Sequence, residues 1–203
     1  MELERNLSDP LSVYRQSEDK QRVVITGNQA MTITAMVIHV LRNNHRDFDY
    51  VTSRPSNGSG PVKMSDAPLV IIEESKKPYA LAPLYHHHIG LISSIDSFEE
   101  EIINVTRFAD ATPKAGILIF SELDPVGTIG KKQRADVTAI PYSRYLHKDE
   151  NGKVTLITST NEHFPIKISG EQNLQSISAA KEVLKKIGIT SGQFYRSIGS
   201  FEN

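Results

Sequence analysis

The chain has 203 residues, 38% of them hydrophobic and 23% charged, which is enough to bury the core of one globular domain. Its 23 basic and 24 acidic residues are spread along the sequence and leave a formal charge of −1, so no basic patch indicates binding to nucleic acid or to an anionic membrane. The absence of cysteine excludes thiol catalysis and thiolate metal sites.

The first ten residues, MELERNLSDP, lack the basic and then apolar build of a signal peptide, and no apolar run approaches membrane-spanning length. We therefore expect a cytoplasmic protein. We expect one domain over 1–203, with a lead-in at 1–20 and a core at 21–198. The polar ends and the Ser-, Gly- and Pro-rich segment 53–66 are predicted to be the loosest parts of the chain.

Apolar runs bounded by turn residues predict strands that are buried on both faces, as in a parallel sheet. In chain order these runs are RVVITG (22–27), APLVIIEE (67–74), HIGLISSI (88–95) and KAGILIFSE (114–122). Helical periodicity separates them over Thr32–Asn43 and Ser97–Asp110, and a third helix is predicted over Leu174–Ile187 with Gly188 at its end. This alternation indicates an α/β fold.

Shorter segments between Thr138 and Ile168 alternate in polarity and are separated by turns such as DENGK. They are TAIPYS (138–143), KVTLITS (153–159) and FPIKIS (164–169). This pattern predicts a small antiparallel extension of a mainly parallel sheet.

The segment GNQAMT (27–32) lies between the first strand and the first helix, where a phosphate-binding loop would lie. Such a loop needs glycines, a lysine for the phosphate charge and a Ser or Thr for magnesium. Gly27 and Thr32 fit these needs, but Met31 stands at the lysine position and cannot donate a hydrogen bond. Local sequence alone also fits a glycine turn with no bound phosphate, in which the Thr32 hydroxyl helps to cap the helix.

Nearly the whole chain resembles the central, ATP-binding domain of the Mur ligases, closest to the branch that attaches L-alanine or murein tripeptide to UDP-N-acetylmuramate. Family members carry T-G-x-H-G-K-T-T-x-T-A-M at the loop, and the matching positions are Thr26, Gly27, Thr32, Thr34, Ala35 and Met36. Collinear similarity continues through 66–73, 86–93, 108–122 and 164–189. The resemblance implies a three-layer α/β domain with a mainly parallel sheet flanked by helices.

The resemblance also implies a weak site for ATP and magnesium. The positions it assigns to nucleotide are Gly27, Asn28, Gln29, Ala30, Thr32 and Asn173. Thr32 and Glu73 correspond to magnesium ligands of the family. No catalytic residue is carried over, because Met31 replaces the loop lysine.

Three further family elements are altered. The acidic E-G-D-E-Y stretch keeps Glu73 but continues as a shorter ESKKPYALAPLY, with Glu74 a poor substitute. The W-D-H turn after the third strand is missing, and Asp96 is not its equivalent. The element G-x-H-N-x-x-N reads GEQNLQS, with Gln172 and Ser176 in place of the histidine and the second asparagine.

These changes predict a stand-alone homologue without ligase activity, acting as a binding or regulatory module linked to peptidoglycan precursor metabolism. The alternatives are a vestigial ATP-dependent ligase or ATPase completed by another polypeptide, and a gene fragment without a selected role. A protein partner or a second copy could bind at the loop KKPYALAPLY, where Tyr79, Leu81, Leu84 and Tyr85 lie close in sequence, although such a loop also folds back on its own core.

Three other features are interpreted as structural. Consecutive residues of a strand point to opposite faces, so the histidines of YHHH (85–88) are not expected to converge on one metal ion. The acidic FEEE (98–101) is interpreted as a solvated first helical turn rather than a magnesium site. His39, on an apolar helix, is interpreted as a packing residue.

Overall fold

The computed structural model describes residues 9–54, 60–150 and 152–202. Its main sheet has seven strands in the order β3-β2-β4-β1-β5-β6-β7, and a second sheet has the order β10-β9-β8. The main-sheet strands are β1 (Gln21–Thr26), β2 (Asp49–Val51), β3 (Val62–Lys63), β4 (Leu69–Glu74), β5 (Ile89–Ile92), β6 (Ile117–Ser121) and β7 (Thr138–Tyr142). All neighbouring pairs are parallel except β2 and β3.

The second sheet is antiparallel and consists of β8 (His147–Glu150), β9 (Lys153–Ile157) and β10 (His163–Ile166). The helices are α1 (Pro10–Arg15), α2 (Ala30–Asn43), α3 (Glu99–Asp110), α4 (Val126–Lys131), α5 (Glu171–Lys186) and α6 (Ser191–Ile198). A 3-10 turn covers Ala82–Tyr85. Within the described ranges, no helix has both the length and the apolar character needed to cross a membrane.

The predicted three-layer α/β architecture is confirmed, because a separate hydrophobic core covers each face of the main sheet. One core contains side chains of α2, α5 and α6 together with Val23 and Ile25 of β1. The other contains side chains of α3, α4 and the 3-10 turn together with Val24 of β1. Successive residues of β1 therefore pack on opposite helical layers, which is why the central strands are continuous apolar runs.

One predicted strand is placed wrongly by sequence. The segment TAIPYS was expected in the antiparallel extension, but Thr138–Tyr142 is β7, which pairs parallel with β6 at the edge of the main sheet. An edge strand pairs with a neighbour on one side only, and β7 is mostly exposed. Its sequence therefore resembles the alternating pattern of an antiparallel strand. The other two segments, as β9 and β10, confirm the antiparallel extension, to which the sequence analysis did not assign β8.

The described residues nearest the two ends of the chain are packed on the domain, in contrast to the loose ends that the sequence predicts. Asp9 caps α1 by accepting a hydrogen bond from the Ser12 amide, and Val13 is fully buried. Phe201 is buried near the other end. In the segment 53–66, β3 pairs with β2, whereas residues 55–59 and 1–8 lie outside the described residues.

A buried ion pair joins the residue before β1, the first residue of β2 and the segment before β4. Lys20 Nζ lies 3.2 Å from Asp49 Oδ2, and these two side chains are 5% and 0% exposed. The ammonium also donates to the carbonyls of Ser65 and Ala67, each at 2.7 Å, and Ser65 Oγ donates to Asp49 Oδ1 at 2.6 Å. Such a pair is tolerated in a core because both charges are hydrogen-bonded.

The three histidines lie just before β5, outside the strand, and have separate environments. His86 is exposed and its ring lies 4.6 Å from that of Tyr14, whereas His88 Nδ1 accepts the Arg22 amide at 3.0 Å. His87 is fully buried, with its ring 4.2 Å from Phe108. The described residues contain no cluster of three or more potential metal-binding side chains.

Two further interpretations have different outcomes. The packing role of His39 is confirmed, because its ring lies 5.4 Å from that of Phe201 and its Nε2 is 3.0 Å from the Ser197 carbonyl. The acidic segment does form the first turn of α3, but it is not fully solvated. Glu101 is 3% exposed and lies 3.6 Å from Lys77 Nζ.

Burial of His87 predicts a pH-dependent stability. Its Nε2 lies 3.0 Å from Thr112 Oγ1, while its Nδ1 has no partner among the described residues. Loss of hydration, followed by the charges of His88, His86 and Arg22, lowers the pKa of His87 to about 3. The unfolded chain has a histidine pKa of about 6.5, so below that pH only the unfolded state takes up this proton.

As the pH falls from about 6.5 toward the folded pKa, we expect His87 to lower the free energy of unfolding by about 1.4 kcal/mol for each pH unit. Above pH 6.5 this loss is absent. Urea unfolding from pH 7 to pH 4 should show a shallower pH dependence for His87→Gln than for the natural protein. The exposed His163→Gln is the control, and equal slopes for all three proteins would contradict the assignment.

Candidate functional site

The loop between β1 and α2 lies at the carboxyl edge of the parallel sheet, where ligands bind in many open α/β sheets. Gly27 has φ +104°, which disfavours any residue with a side chain. A Cβ at this position would lie 2.4 Å from Ser93 Oγ and 2.9 Å from the Ser94 carbonyl oxygen. The loop therefore sits directly against the segment that follows β5.

This contact uses hydrogen-bond donors that a phosphate would need. The Asn28 amide donates to the Ser94 carbonyl at 2.7 Å, and the Gln29 amide donates to Ser93 Oγ at 3.0 Å. The Ala30 amide donates to the Gly27 carbonyl at 3.1 Å. Among the described residues, no acceptor faces the amides of Met31 and Thr32, so these two helix N-terminal donors are free.

The side chain of Asn28 belongs to a polar network. Its Nδ2 donates to Asp96 Oδ1 at 2.9 Å, and its Oδ1 accepts the Tyr79 hydroxyl at 2.7 Å. Lys77 pairs with Asp96, and this hydrogen bond raises the pKa of Lys77 and lowers the pKa of the Asp96 carboxyl. Asp96 is thus a carboxylate beside the loop, a role that the sequence analysis did not assign to it.

A cavity of about 820 Å³ lies between the first turns of α2 and α5. Its lining residues are Gln29, Thr32, Ser94, Leu123, Ser169, Gly170, Glu171, Gln172, Asn173 and Gln175. We call it the loop cavity. Its lining contains hydroxyl and amide groups and one carboxylate, but no lysine, arginine or histidine. It is therefore polar without a positively charged side chain.

The loop cavity brings together three of the six positions that the resemblance assigns to nucleotide, namely Gln29, Thr32 and Asn173. Gly27 and Asn28 belong to the loop, and Ala30 is buried in the first turn of α2. Asn173 Nδ2 donates to the Ser169 carbonyl at 2.7 Å, so its amide group holds the turn before α5.

Glu73, the second candidate magnesium ligand, is not part of the loop cavity lining. It is the penultimate residue of β4, next to β1, and its Oε1 accepts hydrogen bonds from Ser53 Oγ at 2.5 Å and from Ser75 Oγ at 2.7 Å. Its neighbour Glu74 is 4% exposed, and burial raises the pKa of that carboxyl. Glu73 is therefore hydrogen-bonded to two serine hydroxyls, whereas Thr32 lines the loop cavity.

The loop KKPYALAPLY does not form the exposed apolar cluster considered as a partner surface. Tyr79 is 1% and Tyr85 is 5% exposed, and Leu81 is partly buried against the same core, which leaves Leu84 as the exposed member at 51%. Burial also raises the pKa of Tyr79. The segment thus folds back on its own core, which is the alternative that the sequence left open, and it does not present these residues as an anchor surface.

Sequence reasoning missed Leu123, Ser169, Glu171 and Gln175 of the loop cavity. Leu123 could have been found, because it follows β6 and the carboxyl ends of neighbouring parallel strands share one edge. Ser176 is 1% exposed and donates to the Gln172 carbonyl at 2.9 Å, so it faces the protein interior rather than the cavity.

No family model and no curated protein matches the sequence. Solved structures do match. UDP-N-acetylmuramate:L-alanyl-gamma-D-glutamyl-meso-diaminopimelate ligase from Neisseria meningitidis aligns with a TM-score of 0.78 and 12% identity over 96% of this chain. MurF from Acinetobacter baumannii gives 0.76 and 12% over 97%, and MurF from Thermotoga maritima in complex with ADP gives 0.71 and 14% over 96%.

These matches confirm the Mur ligase-like fold that the sequence resemblance implies. At 12–14% identity the likeness concerns the fold alone. The chain spans 70% of the Neisseria protein and 49% and 52% of the two MurF chains.

The tight fit of Gly27 against Ser93 predicts that Gly27→Ala is strongly destabilising. The clash at 2.4 Å adds to the cost of an alanine at φ +104°, which is about 1 to 2 kcal/mol. Gly188→Ala is the matched control, because Gly188 has φ +84° and a Cβ built there meets only the Arg46 guanidinium, at 3.9 Å. In urea unfolding we expect Gly27→Ala to lose at least about 2 kcal/mol more than Gly188→Ala. Equal losses would show that the loop and the Ser93 segment separate easily.

Proposed function

We propose that this chain is a Mur ligase-like domain without acid–amino acid ligase activity, acting as a binding or regulatory module linked to peptidoglycan precursor metabolism. The link to precursors rests on its structural neighbours, which include UDP-N-acetylmuramate ligase and MurF proteins. The lack of ligase activity rests on the chemistry of the loop cavity.

The observation that carries the proposal is the absence of positive charge where a phosphoryl group would be transferred. Such transfer depends on cations that stabilise charge on the phosphoryl oxygens. The loop cavity offers no basic side chain, and Met31 stands where the family has lysine. Glu171 lines the cavity and Asp96 lies beside the loop, and their cationic partners Arg144 and Lys77 are already engaged in these ion pairs.

The backbone supports the same conclusion. A phosphate-binding loop presents several successive amides to one phosphate. In this chain the Asn28 and Gln29 amides already donate to Ser94 and Ser93, so a phosphate would have to break those bonds to use them. The Met31 and Thr32 amides are left for an acceptor, which is compatible with weak binding but not with a tightly held triphosphate.

A vestigial ATP-dependent ligase or ATPase, completed by another polypeptide, is the second candidate. It is favoured by the Thr32 hydroxyl and the free α2 amides at a cavity large enough for a nucleotide. One structural neighbour, MurF from Thermotoga maritima, was solved with ADP. In this candidate the missing cation would come from the other polypeptide.

The module would act through a protein partner or a second copy of this chain. With Tyr79 and Tyr85 buried, such a contact would use other parts of the surface. Light scattering combined with a pull-down from the native host would test this proposal, and a strictly monomeric protein that recovers no partner would contradict it.

The first functional prediction is that the isolated protein neither hydrolyses ATP nor forms an acyl phosphate. Removing one charge-stabilising donor typically lowers a rate about 10²- to 10³-fold, and here the lysine is absent while two loop amides are engaged. Phosphate release with ATP and magnesium should equal that of a heat-denatured control. Magnesium-dependent release that Thr32→Ala abolishes would instead favour the vestigial enzyme.

The second functional prediction concerns restoring the loop. Met31→Lys combined with Ala30→Gly supplies the missing charge and flexibility, and we expect the double variant to bind ATP weakly and to remain inactive. The reason is that the Asn28 and Gln29 amides stay bonded to the segment after β5. Calorimetry with ATP and magnesium would measure this, with Met31→Gln as the uncharged control. Tight binding by the double variant would show that these amides are readily released.

A further inference from the structure

The loop cavity is dominated by groups that both donate and accept hydrogen bonds. Four of its ten lining residues have carboxamide side chains and three have hydroxyls, while one has a carboxylate and none is basic. A carboxamide offers two donor hydrogens and an acceptor oxygen, and a hydroxyl also acts in both directions. Such a lining is complementary to ligand groups that donate and accept in the same way, namely hydroxyls and amides.

Three of these side chains are not used by the protein itself. Among the described residues, Thr32 Oγ1 and the carboxamides of Gln172 and Gln175 have no hydrogen-bond partner. None of these three residues is buried, so a ligand in the cavity can reach them. Gln29 is partly engaged, because its Oε1 accepts the Ser94 hydroxyl at 2.5 Å, and its Nε2 is left as a donor.

Backbone donors border the same space. The first amides of a helix have no partner inside the helix. The amides of Thr32 and Asn173, each the third residue of its helix, have no acceptor within the described part of the chain. The two helices meet at this cavity through their first turns. Their amides can donate to the oxygen of a hydroxyl or a carbonyl without a charge on the ligand.

Nothing in the lining compensates for an ionised ligand. The one ionised side chain, Glu171, lies 3.6 Å from the Arg144 guanidinium, and these two side chains are 68% and 52% exposed. A carboxylate or phosphate that leaves water for this cavity would find no basic side chain in the lining, and an uncompensated charge is costly to desolvate. An uncharged ligand avoids this cost.

An apolar side chain completes the lining. Leu123 follows β6 and is 50% exposed, although it is a large hydrophobic residue. The C–H face of a sugar ring packs on such a side chain while the hydroxyls of the ring reach the polar groups around it. The cavity volume of about 820 Å³ is within the range of small-molecule sites, which combine apolar contact with a few polar groups.

We propose that the loop cavity binds an uncharged N-acetylated hexose. The sugar hydroxyls and the acetamido group exchange hydrogen bonds with the carboxamides, hydroxyls and helix amides of the lining, and the ring packs on Leu123. The acetamido group is itself a carboxamide, so it donates and accepts in the same way as the side chains that surround it.

This inference names the ligand of the binding module proposed above and rests on that proposed function. The two fail in different ways. Hydrolysis of ATP by the isolated chain would overturn the proposed function and this inference with it, because the cavity would then serve a nucleotide. A protein that leaves ATP intact and also fails to bind the sugar would overturn this inference alone.

Four probes separate charge from shape. N-acetylglucosamine is uncharged, N-acetylmuramate adds a carboxylate to the same ring, its methyl ester has that size without the charge, and adenosine is an uncharged nucleoside. Calorimetric titration of the full chain should show binding of N-acetylglucosamine, and the ester should bind at least about threefold more tightly than the free acid, because the acid carries an uncompensated charge. In NMR spectra, amide shifts should change mainly in 28–32 and 169–175.

Two variants remove polar groups while keeping the side-chain volume. Thr32→Val and Gln175→Leu should each weaken N-acetylglucosamine binding about three- to tenfold, which is the usual effect of losing one hydrogen bond. Thr106→Val and Gln16→Leu are the matched controls, because neither residue is buried and neither lines the loop cavity. All four unfolding midpoints should stay close to that of the natural protein, which separates lost contacts from lost folding.

A third variant supplies the charge that the lining lacks. Gln172→Lys should reverse the order of the matched pair, so that N-acetylmuramate binds more tightly than its methyl ester. The proposal would be overturned by no binding of N-acetylglucosamine up to about 10 mM, by tighter binding of adenosine, or by equal or tighter binding of the free acid to the natural protein. Unaltered affinity in both Thr32→Val and Gln175→Leu, or an unchanged order in Gln172→Lys, would also overturn it.

Discussion

The contact between Gly27 and the Ser93–Ser94 segment determines how the carboxyl edge of this sheet is built. With no side chain at Gly27, the loop after β1 reaches the end of β5 and donates two of its amides there. The same contact sets the start of α2 and directs the Asn28 side chain toward Asp96 and Tyr79. One steric constraint thus decides both the local fold and the donors that remain for a ligand.

That constraint has an electrostatic result. The protein contacts satisfy the Asn28 and Gln29 amides, and the N-terminus of α2 lies beside a cavity whose lining has no basic side chain. The uncharged Met31 side chain and the closed loop act in the same direction, because each weakens the attraction of this edge for an anion. A Mur ligase-like fold is thus combined with a cavity lining that carries no basic side chain.

Sequence predicted the central strands well, because burial on both faces leaves uninterrupted apolar runs such as residues 69–72 of β4. It failed at β7, where an edge position makes a parallel strand look like an antiparallel one. It also missed α4, whose sequence VGTIGK contains two glycines unfavourable in a helix. The two glycines are needed because α4 lies against Phe120 and Glu122, a contact that the periodicity of the sequence does not indicate. The engaged loop amides were likewise unpredictable, because their acceptors lie 64 or more residues away.

The sheet edges have a consequence for how this protein behaves at high concentration. Unpaired edge strands are templates on which other chains add strands and aggregate. Here β3 has only two residues, one of them Lys63, and β7 contains Pro141, which has no amide hydrogen. In the smaller sheet, β10 contains Pro165 and β8 consists of the charged and polar HKDE. All the strand edges in the described part of the chain are thus poor templates for self-association.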